Sequence, residues 1–291
     1  MAGVGGMLGE AFHHVFAGSH ELLCTDKDVN ADWLSFCDFR DRADYARQVL
    51  DFKPDYLFHI GAHTSLEYCE DNIDDAYATN TLPVENAVWL ANKLDIPMLY
   101  ISTAGIFDGA QETYDDWGQP NPLGHYARSK YMGERFVVEN AHRYLVCRAG
   151  WMMGAGPAKD KKFIQKLASQ LKAGARELKV VDDKLGTPTY TRDFAAQVKV
   201  LVEQELWGLY NMVCQGVTSR FEVAEYLVKA LGKASEVAVE PVSSDYFAQE
   251  YFAPRPPSER LLTKKLDLRG VNVMRDWKVC LDEYRSEEHT S

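Results

Sequence analysis

The feature that most constrains the fold is an alternation of short apolar strands with helical segments. Apolar runs predict strands at 21–25, 56–60, 97–102 and 144–148. Helical spacing of apolar residues predicts helices at 7–16, 45–52 and 80–94. Because strands that alternate with helices form βαβ units, we predict an α/β fold with a doubly wound parallel sheet.

A glycine-rich turn opens the chain, directly before the first predicted helix. It comprises Gly3, Gly6, Met7, Leu8 and Gly9. Glycines at this spacing let backbone N–H groups approach a pyrophosphate at a helix N-terminus. Asp26 closes the next strand, where a carboxylate can bind the adenosine ribose. An ordinary glycine turn is the alternative, but the context favours a Rossmann-type sheet that binds NADH or NADPH.

The choice between the two cofactors is open on the sequence. Asp26 repels a 2′-phosphate and favours NADH, whereas the neighbouring Lys27 favours NADPH. Asp38 and Phe39 follow the next apolar segment and are predicted to lie along the adenine. A solvated turn is an equally good interpretation of Asp38.

The two ends of the sequence differ from the rest of the chain. Only Met1 and Ala2 precede the glycine turn, so we expect most of the first strand to be missing. Residues 285–291 form a polar tail, one back-translation of which resembles a widely used sequencing-library adapter. We therefore expect this tail to lie outside the fold.

The net charge and the apolar pattern exclude several classes of partner. A net charge of −11 and a pI of about 5.2 disfavour nucleic-acid binding. No apolar run is long enough for a membrane span. Six scattered cysteines without a CxxC pair indicate a reducing compartment, and we expect the cytoplasm. A basic stretch at 159–166 is suited to a small phosphorylated ligand, and a homodimer is an open alternative to a monomer.

Three residues form a candidate catalytic group for ketone reduction. Tyr126 and Lys130 share one face of a helix that is predicted to begin at Asn121 and Pro122. Thr103 ends the strand before it. Ketone reduction needs a proton donor at the oxygen, and a nearby ammonium is expected to lower the pKa of the tyrosine toward neutrality. The threonine hydroxyl would orient the carbonyl.

These residues, with three longer motifs, resemble the dTDP-4-dehydrorhamnose reductase family of the extended short-chain dehydrogenase/reductases. The motifs are STAGIFDG at 102–109, RAGWMMG at 148–154 and DKLGTPT at 183–189. The resemblance implies NAD(P)H-dependent reduction of the 4-keto group of dTDP-4-dehydro-L-rhamnose, a nucleotide-sugar substrate. Departures from the family pattern at Ala104, Lys184 and His63 leave the exact sugar open.

The resemblance also assigns site residues. Tyr126 would donate the proton, Lys130 would bind the nicotinamide ribose and Thr103 would orient the keto group. Beyond this catalytic group, cofactor contacts are expected at Gly61, Ala62 and His63, and substrate contacts at Thr103, Ala104, Trp151, Thr187 and Pro188.

The character of the chain changes after Gly150, which indicates two domains. Residues 1–150 and about 186–213 are expected to form the dinucleotide-binding domain. Residues 151–185 and 214–284 are expected to form a smaller α/β substrate domain.

Several charged residues also have structural interpretations. We expect Arg148 to be a structural charge at a strand end and Arg255 to anchor its loop. Five carboxylates are expected to form a solvated acidic face: Glu67, Glu70, Asp71, Asp74 and Asp75. A metal site at His59 or His63 is not expected, since neither has a ligand partner at suitable spacing.

Two alternative functions remain open. One is a sugar-nucleotide epimerase or dehydratase, which would need an acid–base residue that Ala104 does not supply. The other is a regulatory subunit that binds a dinucleotide without turnover. An exposed apolar patch on the substrate side would favour the regulatory subunit.

Overall fold

The computed structural model describes residues 1–290, with side chains up to residue 286. The helices are α1 Met7–Phe16, α2 Arg42–Phe52, α3 Leu66–Asp71, α4 Ile73–Asn80, α5 Leu82–Leu94, α6 His125–Asn140, α7 Gly156–Lys159, α8 Phe163–Lys172, α9 Thr191–Glu203, α10 Arg220–Ala230, α11 Lys264–Arg269 and α12 Trp277–Thr290. The strands are β1 Thr25–Asp26, β2 Ser35–Phe36, β3 Leu57–His59, β4 Met98–Thr103, β5 Tyr144–Ala149, β6 Trp151–Met153, β7 Glu177–Val181, β8 Leu185–Gly186, β9 Pro188–Tyr190, β10 Gly208–Asn211, β11 Thr218–Ser219 and β12 Ala238–Val242.

The predicted Rossmann-type parallel sheet is confirmed. Four parallel strands lie in the order β10-β5-β4-β3, and β1 pairs with β2 in parallel beside them. Ala2 makes parallel bridges to both Thr25 and His59, so it joins the two groups of strands. Its N–H donates to Phe58 at 2.8 Å. The first residues of the chain thus lie inside the parallel sheet, between β1 and β3.

The structure corrects several of the predicted helix starts. The helix that carries Tyr126 begins at His125, after Gly124, and not at Asn121 and Pro122. Asn121 instead anchors the preceding loop, because its N–H donates to the carbonyl of Ile106 at 2.9 Å. The helix predicted at 80–94 begins at Leu82, and two short helices, α3 and α4, precede it.

Three large hydrophobic cores stabilise the molecule. One lies between the sheet and helices α1 and α9, and includes Phe12 and Phe194. The second lies between the sheet and helices α2 and α5, and includes Tyr45. The third lies among α8, α10, α12 and β7, and includes Leu171 and Leu227. The domain boundaries given above stay a prediction.

The predicted tail at 285–291 begins inside the last helix. That helix runs to Thr290, and Arg285 Nη1 donates a hydrogen bond to the carbonyl of Ala230. The side chains of 287–290, and residue 291, lie outside the described residues. Among helices of the described chain, none is both long and apolar enough to cross a lipid bilayer.

A buried ion pair connects the sheet to α6. Arg148 Nη2 lies 2.6 Å from Glu134 Oε1, and both side chains are 4% exposed or less. The guanidinium also lies over the ring of Phe107 and donates to the carbonyl of Asp116. The structural interpretation of Arg148 is therefore confirmed.

We predict that Arg148→Met lowers the free energy of unfolding by about 3–5 kcal/mol, because Glu134 would remain buried without its partner. Urea denaturation measures this effect. Arg135→Met is the matched control, since it breaks the exposed pair with Glu139 and should cost about 0–1 kcal/mol. Equal losses in the two variants would contradict the prediction.

Candidate active site

A cleft of about 1440 Å³ opens at the carboxyl ends of the parallel strands. In doubly wound sheets this edge is where ligands bind. One wall is formed by the glycine turn and the ends of β1, β3 and β4, and the other by α8, the start of α10 and residues 244–259. Nearly all of the predicted site residues line it: Gly3, Gly6, Met7, Leu8, Gly9, Asp26, Asp38, Phe39, Gly61, Ala62, His63, Thr103, Ala104, Tyr126, Lys130, Trp151 and Pro188. Thr187 does not, and its side chain is buried behind the cleft wall.

The glycine turn has the shape that a dinucleotide pyrophosphate needs. A Cβ on Gly3 would lie 2.2 Å from the Cα of Gly61, so these backbones touch only because both residues lack side chains. A Cβ on Gly6 would meet nothing within 4 Å, so the turn is open at this point. Gly6 is the N-cap of α1 and provides no side-chain cap. The first N–H groups of α1 therefore face open space, and a bound pyrophosphate fits there.

Asp26 holds the turn as well as lining the cleft. Its Oδ2 accepts a hydrogen bond from Gly5 N at 2.8 Å, and its Oδ1 accepts one from Asp28 N at 2.9 Å. Asp38 forms an ion pair with Arg40 at 2.7 Å, which lowers the pKa of its carboxyl. Arg40 Nη1 also lies 3.3 Å from Asp75 Oδ1, so Arg40 joins two carboxylates on the cofactor side of the cleft, a role that the sequence analysis did not assign.

Thr103 and Tyr126 meet at the centre of the cleft. Thr103 Oγ1 accepts from Gly105 N at 3.1 Å, which leaves its hydroxyl proton free to donate. Burial raises the pKa of Tyr126 to about 12, and hydrogen bonding with Thr103 offsets part of this rise. The predicted lowering of this pKa by Lys130 is therefore wrong for the structure, since desolvation dominates.

Lys130 lies one helical turn after Tyr126 but is directed toward the sheet. Its Nζ sits 4.2 Å from the ring centroid of Tyr100, whose hydroxyl donates to the carbonyl of Lys130 at 2.9 Å. Burial lowers the pKa of Lys130 to about 7, and the nearby charge of Glu134 opposes this change. The amine can therefore gain or lose a proton near neutral pH.

Asn80 clamps the cofactor loop to the catalytic helix, a role that the sequence analysis did not assign. Its Oδ1 accepts from His63 N at 2.8 Å, and its Nδ2 donates to Ser129 Oγ at 3.0 Å. His63 Nε2 also lies 2.7 Å from Asp75 Oδ2. The backbone around Gly61–His63 is thus held at a fixed distance from α6.

The substrate side of the cleft contains two charged residues that the sequence analysis did not single out. Trp151 Nε1 donates to Glu259 Oε2 at 2.8 Å. The guanidinium of Arg220 lies 4.4 Å from the ring of Trp151 and 4.8 Å from that of Phe163. No local motif marks Glu259 or Arg220, because each reaches the site from a distant segment of the chain.

The carboxylates of α3 and α4 do not form one solvated face. Glu67 pairs with Arg255 at 2.7 Å, and Glu70 accepts from His125 N at 2.5 Å, which caps α6. That prediction is wrong for these residues because opposing charges and a helix N-terminus face them. Arg255 also donates to the carbonyl of Ala253 at 2.9 Å, which confirms it as a loop anchor. Within residues 1–286, no group of three metal-ligating side chains is present.

Comparison with known proteins places this cleft in a family. The sequence profile described as "RmlD substrate binding domain" matches residues 1–289. The dTDP-4-dehydrorhamnose reductase of Mycobacterium tuberculosis (strain H37Rv) is 29% identical over 287 residues, which cover 97% of this chain and 90% of that protein. The spore coat polysaccharide biosynthesis protein SpsK of Bacillus subtilis is 25% identical, covering 100% of this chain and 98% of that protein.

Solved structures of proteins named dTDP-4-dehydrorhamnose reductase have the same fold as this chain. The dTDP-4-dehydrorhamnose reductase of Bacillus anthracis in complex with NADP superposes with a TM-score of 0.85 and 27% identity, covering 98% of this chain and 97% of that chain. The reductase of Yersinia enterocolitica gives the same TM-score of 0.85 and 27% identity over 99% of this chain and 98% of its own.

We predict that Lys130 makes the stability of the ligand-free protein rise with pH. Its pKa is about 7 in the folded state and near the ordinary 10.5 when unfolded. Between these values only the unfolded state holds the proton, so the free energy of unfolding increases by up to about 1.4 kcal/mol per pH unit. The test is urea denaturation of the wild type and Lys130→Met from pH 6 to 10. A difference in unfolding free energy between the wild type and Lys130→Met that stays constant over this pH range would contradict the low pKa of the buried amine.

Proposed function

We propose that this chain, which belongs to the RmlD substrate binding domain family, reduces the 4-keto group of a nucleotide-linked deoxysugar with NADPH or NADH. The observation that supports this most directly is the meeting of Thr103 and Tyr126 opposite the open glycine turn. A ketone held there would lie between a hydroxyl pair and a dinucleotide site. This is the geometry that carbonyl reduction needs.

The residues have separate roles in the proposed reaction. The nicotinamide cofactor, when bound, supplies the hydride that reaches the carbonyl carbon. Thr103 donates a hydrogen bond to the carbonyl oxygen and orients it. Tyr126 then transfers its hydroxyl proton to that oxygen. Because burial keeps its pKa near 12, Tyr126 is protonated at neutral pH and acts as an acid.

Lys130 is proposed to bind the nicotinamide ribose and to support Tyr126. Its buried amine has no anionic partner within ion-pair distance among the described residues, although Glu134 is close enough to raise its pKa. Ribose hydroxyls would supply hydrogen-bond acceptors that this desolvated group needs. Proton exchange through Lys130 would return a proton to Tyr126 after each turnover.

The proposed substrate is dTDP-4-dehydro-L-rhamnose, and the product is dTDP-L-rhamnose. Proteins named dTDP-4-dehydrorhamnose reductase align with nearly the whole chain. The substrate side of the cleft also contains cations suited to a diphosphate: Lys161, Lys162, Lys166, Lys184 and Arg220. Six free cysteines support a reducing compartment, and we place the reaction in the cytoplasm.

One observation favours the second candidate, a regulatory subunit. Three aromatic side chains beside the substrate cleft are exposed, Tyr246 by 56%, Tyr251 by 37% and Phe252 by 49%. An apolar patch of this kind could bind a partner protein, either in a complex or in a homodimer. Tyr251 and Phe252 also line the cleft, so a bound nucleotide would cover them as well.

We predict that Tyr126→Phe lowers kcat by about 10²-fold or more, the scale of a lost acid–base group. Cofactor affinity should stay within about twofold, because the ring remains in place. The assay follows NADPH oxidation at 340 nm with dTDP-4-dehydro-L-rhamnose, and a titration gives the cofactor Kd. Tyr131→Phe, on the same helix, is the control and should retain turnover. Turnover of Tyr126→Phe close to that of the wild type would disprove the proposed role of Tyr126. If the wild type binds the cofactor but shows no turnover, the result would favour the regulatory subunit.

A further inference from the structure

Glu259 places a carboxylate beside the reacting centre although it lies far from the catalytic residues in sequence. Its Oε2 accepts the hydrogen bond from Trp151 Nε1 at 2.8 Å. Its backbone N–H donates to the carbonyl of Leu185 at 2.8 Å, so the segment that carries it is held against β8. Glu259 is therefore held in place through both its backbone and its side chain.

The second oxygen of Glu259 lies next to the catalytic threonine. A Cβ placed on Gly105 would be 3.2 Å from Glu259 Oε1 and 3.5 Å from Thr103 Oγ1. Both oxygens thus surround one small space at the end of β4. Independently, the charge of Glu259 raises the pKa of Tyr126. The hydrogen bond from Trp151, the position beside the Thr103 turn and the charge interaction with Tyr126 all place the carboxylate near the proposed reaction centre.

This oxygen has unused hydrogen-bonding capacity. Among the described residues, no group donates a hydrogen bond to Glu259 Oε1, and Glu259 lines the cleft. Arg220 exerts a favourable electrostatic interaction on it but lies beyond ion-pair distance, with its guanidinium against the rings of Trp151 and Phe163. Both side chains line the cleft, so a polar group of a ligand bound there can reach the free oxygen of Glu259.

We propose that Glu259 is a specificity-determining residue that accepts a hydrogen bond from the sugar hydroxyl next to the reacting carbonyl. A carboxylate can only accept, so it selects a hydroxyl donor over a hydrogen or a methyl group at that position. Hydrogen bonds to charged groups are stronger than neutral ones. The inference rests on the proposed nucleotide-sugar substrate and narrows it to sugars that retain this hydroxyl.

The test compares two ligands that differ by one hydroxyl group. Calorimetry measures the Kd of dTDP-L-rhamnose and of its 3-deoxy analogue for the protein saturated with NADP. We expect the wild type to bind dTDP-L-rhamnose at least about 10-fold more tightly. In Glu259→Gln this ratio should fall below about threefold, because an amide group would face the hydroxyl in place of the second oxygen. The affinity for the 3-deoxy analogue should stay unchanged.

Two further variants separate recognition from structural support. Glu112→Gln makes the same chemical change at an exposed carboxylate, which pairs with Arg260 next to Glu259 in the chain. It should keep the wild-type ratio. Trp151→Phe removes the indole donor and tests whether Glu259 serves only to hold Trp151. In that case Glu259→Gln and Trp151→Phe would weaken both ligands alike, and the proposal would be wrong.

The outcomes also distinguish this inference from the proposed function. The inference is supported if the wild type binds dTDP-L-rhamnose more tightly than the 3-deoxy analogue and Glu259→Gln does not. This holds even if turnover is absent and the reductase function fails. Equal binding of the two ligands by the wild type overturns the inference, whether or not Glu259→Gln folds, and leaves the reductase function standing if turnover is seen. Failure of the wild type to bind either ligand overturns both.

Discussion

The close contact between Gly3 and Gly61 is the constraint on which the rest of the molecule depends. The segment around Ala2 runs between β1 and β3 and exchanges backbone hydrogen bonds with Thr25, Phe58 and Ile60. It therefore joins the short β1–β2 pair to the four-stranded sheet. Any side chain at either glycine would separate the backbones. The same contact sets the glycine turn beside the loop after β3, so sheet continuity and the shape of the cofactor site come from one packing requirement.

A line of buried charges couples this sheet to the catalytic helix. Glu134 lies between Arg148, which it binds directly, and Lys130, whose pKa it raises. The Arg148–Glu134 pair is fully desolvated, so it adds little net stability to the fold. Its main effect is to determine where α6 packs. Lys130 remains buried without a carboxylate of its own, and burial therefore controls its protonation. Packing of α6 and the chemistry of its amine are thus two consequences of the same desolvation.

The sequence predicted those parts of the fold and site that depend on local signals. The bounds of α1 agree with the prediction, since a glycine turn and apolar spacing determine them. The spacing of Tyr126 and Lys130 is also local, and the cleft contains both. By contrast, Glu259 and Trp151 are 108 residues apart, and Asn80 and Ser129 are 49 apart. Such contacts depend on how distant segments pack, and no spacing rule reveals them. The same applies to the pKa of Tyr126, which burial raises against the expectation from its neighbours.

The distribution of charge explains how an acidic protein can bind a doubly anionic ligand. The net charge is −11, yet the cleft contains a group of lysines and arginines on its substrate side. At physiological ionic strength, charges more than about 8 Å away are largely screened, so the near group determines the potential that a ligand meets. One of these cations, Arg220, faces the aromatic rings of Trp151 and Phe163. A stacked guanidinium keeps its N–H groups available, because ring contacts use its face and leave its edge for an anion. In the proposed role of Glu259, the positive group would face the diphosphate and the carboxylate would face the uncharged sugar.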